Sequence, residues 1–115
     1  MKDERMTINS RQKGARGERL WRDQLRANGY EATRGQQFAG GNDSPDVKCP
    51  DLPRLHMEVK FVEKLNLQNA VDQAKRDGCG KPWIVAHKRK NTPWLVTMDA
   101  DLFFDLLREN VEMFR

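Results

Sequence analysis

The apolar positions of this chain change their spacing several times, and each change marks an element. Between Ser10 and Ala27, Leu20, Trp21 and Leu25 form a helical stripe, and Ala15 and Gly17 leave room for close packing. Asn9 or Ser10 is the expected N-cap, and Asn28-Gly29 the expected stop. Tyr30–Arg34 reads as a short strand and Gly35–Ser44 as a loop rich in Gly, Asn, Asp and Ser. Asp46–Cys49 resumes as a strand, Pro50-Asp-Leu-Pro53 makes a turn, and Leu55–Val62 alternates apolar and polar residues over the longest strand. These two strands are close in sequence, which predicts a hairpin.

Asn66–Asp77 is a second helix, with Leu67, Ala70, Val71 and Ala74 on one side and Gly78 and Gly80 as its stop. Pro82–His87 is almost continuously apolar, as in a central strand buried on both faces. A basic turn, Lys88–Thr92, leads to the returning strand Trp94–Met98. Asp99 or Asp101 then caps a last helix with Leu102, Phe103, Leu106 and Leu107 as its inner face. The predicted order is α-β-β-β-α-β-β-α, a mixed α/β sheet flanked by helices.

Length narrows this to one domain over residues 10–115, preceded by a flexible tail at 1–9. The chain is 37% hydrophobic and 33% charged, which fits a folded, highly charged domain rather than a disordered one. A net charge of +4 favours an anionic partner, nucleic acid above all. No apolar run reaches the ~20 residues that cross a bilayer, and the N-terminus carries no apolar signal core. The expected location is therefore the cytoplasm, away from membranes. Cys49 and Cys79 lack CxxC spacing, and His56 and His87 do not complete a zinc set; free thiols in a reducing compartment are expected.

The strand around Glu58 carries the candidate chemistry. Met57, Val59 and Phe61 point to one side, Glu58 and Lys60 to the other. One reading is an ordinary solvated polar face. The other starts from Pro45-Asp46, which the expected hairpin would bring beside Glu58. Two facing carboxylates repel unless a cation neutralises them, and hard oxygen ligands suit Mg²⁺. Lys60 would then stand where a water and a phosphate oxygen meet the metal, a device suited to phosphodiester hydrolysis. The second pair, Pro50-Asp51, lies in a proline-bracketed turn, so Asp46 is the better candidate.

Pro45-Asp46 followed by Glu58-Val59-Lys60 resembles the PD-(D/E)xK nuclease signature. RQKGARGERLWRDQLRANGYEATR resembles the opening helix of the archaeal-type Holliday junction resolvases, and the resemblance extends over Ser10 to His87. It implies a restriction endonuclease-like fold with Asp46, Glu58 and the carbonyl of Val59 holding Mg²⁺, for which Mn²⁺ can substitute. Lys60 would polarise the attacking water. Glu18 would help to bind a second ion or orient a water, and Gln73 would contact the site from the second helix. Two plainer readings stay open: Glu18 paired with Arg22 one turn on, and Gln73 as a solvated helix residue. His87 is the end of an apolar strand rather than a base.

Two basic groups could hold phosphates without reading bases: Arg11, Lys13, Arg16 and Arg19 around the first helix, with Arg34 after it, and Lys88, Arg89 and Lys90 in the later turn. Either could instead be a solubilising face. Phe38, Gly40 and Gly41 in the long loop could meet the substrate. The resulting expectation is an endonuclease for branched DNA, with no nucleotide cofactor. Paired cuts would need a homodimer, with Phe103, Phe104 and Leu107 as possible contacts. The alternatives are a nicking, repair or restriction-type nuclease on linear or flapped DNA, or a non-catalytic DNA-binding module. The small size is also compatible with a viral origin.

Overall fold

The computed structural model describes residues 4–35 and 47–115, with side chains from residue 12 onward. Asp46 and the loop residues Phe38, Gly40 and Gly41 lie outside these described residues, as does the side chain of Arg11. The described elements follow the predicted order. They are α1 (Glu4–Ala27), β1 (Thr33–Arg34), β2 (Val47–Lys48), β3 (His56–Phe61), α2 (Leu67–Gly78), β4 (Trp83–Lys88), β5 (Leu95–Thr97) and α3 (Ala100–Asn110), with a final 3-10 turn at Val111–Phe114.

α1 begins at Glu4, so Asn9 and Ser10 lie inside the helix instead of capping it. Its stop is as expected: Gly29 takes φ +91°, where a side chain would be strained. The prediction for α2 is met more closely. Asn66 caps it by accepting from the Asn69 N–H at 3.0 Å. Its end differs by one residue, because Gly78 stays helical and Cys79 takes the left-handed cap. A Cβ on Gly78 would stand 3.4 Å from the His56 Cβ, so glycine here serves packing rather than termination. Asp99, not Asp101, caps α3 by accepting from Leu102 N–H at 2.8 Å.

The sheet differs from expectation in one pairing. β2 does not form a hairpin with β3; it pairs antiparallel with β1, matching Thr33 to Lys48 and Arg34 to Val47. The connection between β2 and β3 explains this. It folds through two successive turns, Leu52 N–H to Cys49 carbonyl and Leu55 N–H to Leu52 carbonyl, and Pro50 and Pro53 have no N–H to give a ladder. β3 pairs instead with β4, in parallel, and β4 with β5, antiparallel. β2 still lies against β3 without ladder bonds between them.

Strand alternation then sorts the side chains into two layers. Met57, Val59, Ile84 and Ala86 join Trp21 and Leu25 of α1, with Val47 and Cys49, in one core. Trp21 closes it, donating Nε1–H to the Met57 sulfur at 3.5 Å and tilting against the Trp94 ring. On the opposite face, Trp83 and Val85 pack on Ala70 and Ala74 of α2. Leu67, expected to point inward, is instead exposed.

α3 departs furthest from its predicted packing. Only Leu102 packs on the core, Leu107 is half-buried, and Phe103 and Leu106 are exposed rather than inward. β5 is the three-residue edge of its sheet and offers little surface for a helix to lie on.

Candidate active site and basic surface

Glu58 is 1% exposed, so the solvated-face reading does not hold. The cover is α2. His56, Glu58 and Lys60 alternate on the same face as Trp83 and Val85, and both ends of this row touch the helix. Lys60 Nζ donates to Gln73 Oε1 at 2.8 Å, and the His56 ring abuts Gly78. An anion removed from water must be compensated, and Glu58 has a partner at each oxygen. His56 Nε2 is 3.2 Å from Oε1, and Lys60 Nζ is 3.8 Å from Oε2. The first contact is a hydrogen bond between the two side chains, its direction set by the imidazole tautomer. Gln73 is not a free helix residue, since it holds the Lys60 ammonium in place.

Glu18 reaches the same region from the other layer. α1 crosses β3 at Gly17, where an added Cβ would be 2.6 Å from the Phe61 Cβ. This close approach carries the next residue, Glu18, into the interior at 7% exposure. Arg34 Nε donates to Glu18 Oε2 at 3.0 Å, while Arg22, the partner expected one turn on, bonds Asp23. Arg34, expected to grip phosphate, is thus tied to a carboxylate. Burial pushes the Glu18 carboxyl above its ordinary value. The Arg34 hydrogen bond and charge, and the Arg19 charge, oppose this, while the negative charge of Glu58 adds to it.

The donor chemistry fits a hard divalent cation. Two buried carboxylates, Glu18 and Glu58, feel each other's charge, which a cation between them would relieve. Among the described residues no group of three His, Cys, Asp or Glu side chains is assembled for a metal. Asp46, the expected further ligand, lies outside them; Val59, whose carbonyl was the other, is buried in β3. Asp51 accepts the Glu31 N–H at 3.0 Å and works as a turn residue. Cys49 and Cys79 are free thiols.

The two basic groups of the sequence meet around one ring. Lys13 and Arg16 of α1 and Lys88 of β4 lie 5.7, 5.5 and 5.9 Å from the Phe61 ring centroid. Lys88 is as close to Trp94, at 5.9 Å. At these distances the charged groups lie over the ring face, which attracts cations. Lys90 joins them at a depression of about 380 Å³ that Lys13, Arg16, Phe61 and Glu63 also line. Arg89 is exposed in the turn, its N–H bonded to Thr92 Oγ1. His87 bonds Thr97 Oγ1 at 2.9 Å, and burial lowers its basicity. It is a strand residue, as expected.

Two features escaped the sequence reading. Phe61 was assigned to the core, and its role as the meeting point of distant cations had no local signal. His56 was weighed only as a zinc ligand. Its position two residues before Glu58 was the available clue, because it places both side chains on one strand face.

No family model matches the sequence, and no curated protein does. Among solved structures, the chain is similar to Archaeoglobus fulgidus Hjc, a Holliday junction resolvase from an archaeal hyperthermophile. The two are 29% identical, with a TM-score of 0.53 over 75% of this chain and 72% of that one. No helix among the described residues is long and apolar enough to cross a membrane. Helix, mixed sheet and buried Glu-x-Lys strand together identify a restriction endonuclease-like fold, and the chain is similar in structure and sequence to an archaeal Holliday junction resolvase.

Proposed function

We propose that this chain is a metal-dependent endodeoxyribonuclease that hydrolyses phosphodiester bonds in branched DNA, as a resolvase of four-way junctions. The observation that carries the reading is the buried Glu58 carboxylate beside the partly exposed Lys60, covered by Gln73 and approached by Glu18. A solvated polar strand face would not bury a carboxylate, whereas a site for a cation with a lysine at its open edge would. Similarity to a named Holliday junction resolvase supports the substrate class.

Glu58, Asp46 and the Val59 carbonyl would hold Mg²⁺ or Mn²⁺. When bound, the ion supplies charge neutralisation at the phosphate and a more acidic water. The chain's own groups do the rest. Lys60, steered by Gln73, places its positive charge where negative charge grows on the phosphoryl oxygens. Glu18 with Arg34 sets the charge balance beside it. The cations gathered around Phe61 hold neighbouring phosphates. The exposed faces of Phe103 and Phe104, with ring centroids 5.6 Å apart, supply a homodimer contact, as paired cuts require.

The test is cleavage of a labelled four-way junction and of linear duplex, with Mg²⁺ or with chelator, by the wild type and by Glu58→Ala and Lys60→Ala variants. Mg²⁺-dependent junction cleavage lost in both variants is expected. Absence of any metal-dependent cleavage refutes the enzyme. Equal rates on duplex and junction refute the resolvase and favour a nicking or repair nuclease.

A further inference from the structure

We propose that His56 is a positioning residue that fixes which oxygen of Glu58 is presented to a divalent cation. The inference rests on the reading above, in which Glu58 is a metal ligand.

His56 is held on every side. Its backbone N–H donates to the Pro82 carbonyl at 2.8 Å, anchoring the start of β3. Its ring is 6% exposed and lies against Gly78, which, lacking a Cβ, leaves it space. Its Nε2 lies 3.2 Å from Glu58 Oε1. Among the described residues no buried side-chain polar atom lacks a hydrogen-bond partner, so this contact is part of a satisfied network.

The consequence is an asymmetric carboxylate. Oε1 is turned inward to the imidazole. Oε2 is turned toward Lys60, the half-exposed end of the row at 27% side-chain exposure. A cation entering from that end meets Oε2, and the carboxylate cannot rotate without breaking the His56 bond. Partners that orient a metal ligand in this way typically account for roughly 10–100-fold in metal affinity. A histidine that only filled space would contribute nothing to affinity beyond folding.

The experiment titrates the full-length protein with Mn²⁺ alone, following free ion by electron paramagnetic resonance, alongside thermal melts. The variants are His56→Gln, which keeps a donor at similar reach, its near-isostere His56→Met, which does not, and Glu58→Gln as a control. We expect affinity to fall roughly 10–100-fold in His56→Met and to be largely restored in His56→Gln. Wild-type affinity in His56→Met, or equal losses in both His56 variants, overturns the proposal. Unchanged affinity in Glu58→Gln instead removes the metal-ligand reading itself. If His56→Met does not fold, His56→Asn, whose amide is too short to reach Oε1, takes its place with the same expected loss, and wild-type affinity in it overturns the proposal.

Discussion

Adding one methyl group to α1 should have opposite effects at two glycines three residues apart. Replacing a helix-interior glycine by alanine normally stabilises by about 0.5–1 kcal/mol, through backbone entropy. At Gly14 a new Cβ meets nothing within 4 Å among the described residues, so Gly14→Ala should show that full gain. At Gly17 the new carbon would be 2.6 Å from Phe61 Cβ, 3.6 Å from its nitrogen and 3.7 Å from its Cα. Carbon atoms prefer separations of about 3.5–4.0 Å, so α1 must move away from β3 by roughly 1 Å. Phe61 Cβ cannot yield by a rotamer change, because it is fixed to the strand backbone. Overpacking of this kind costs about 1–3 kcal/mol. After the propensity gain, Gly17→Ala should be less stable than wild type by up to about 2 kcal/mol. Urea titration of the three proteins measures this, with midpoints in the order Gly14→Ala, wild type, Gly17→Ala and slopes unchanged. Because Glu18 follows Gly17, the same displacement separates Glu18 from Glu58, and DNA cleavage should drop only in Gly17→Ala. Equal midpoints for the two alanine variants would refute the tight α1–β3 crossing and the placement of Glu18 that depends on it.

Further outcomes follow from the charges. The raised value of Glu18 means that the folded chain binds its proton more tightly than the unfolded chain. Its contribution to stability is therefore complete below the ordinary value of 4.5 and is lost as pH rises through the raised one. Thermal melts across that range should show Glu18→Gln gaining on wild type as pH rises; a constant difference would show that Glu18 does not sense burial. Anisotropy titrations of duplex DNA at several salt concentrations should show the salt slope falling by about one for each of Lys13→Gln, Arg16→Gln and Lys88→Gln, and unchanged slopes would show these cations only solubilise. Sedimentation should find wild type dimeric and Phe104→Asp monomeric but still folded, since Phe104 is 54% exposed and outside the core; a persisting dimer would place the interface elsewhere.

What the sequence revealed was what local geometry determines. The cap at Asp99 and the stop at Gly29 each depend on the conformational preferences of one or two residues. Lys60 and Gln73 were both legible as site candidates, because the strand's alternation and the helix that follows it bring them to one face. The partner of β2 was not legible. A two-residue strand carries too little pattern to choose between neighbours, and the decision fell to the proline-rich connection. The cations around Phe61 come from opposite ends of the chain, and no spacing rule links them. For α3, periodicity showed that an apolar face exists but not what covers it. Phe103 and Leu106 have the right spacing for a core that this chain does not place there.

The burial of Glu58 has a topological cause. β3 pairs in parallel with β4, and a parallel pair cannot be joined by a tight turn. The chain must return to the other end of the sheet, and α2 makes the return across the face holding His56, Glu58 and Lys60. The same helix then brings Ala70 and Ala74 onto Trp83 and Val85, Gln73 onto Lys60, and Gly78 against His56. A crossover needed only to align two strands thereby converts an alternating polar row into an enclosed one. The apolar half of α2 holds the cover in place, and its polar and smallest residues fit the charged row beneath. Under this topology a polar pattern that reads as solvent-facing in the sequence places Glu58 in the interior and leaves Lys60 at the partly open end of the row.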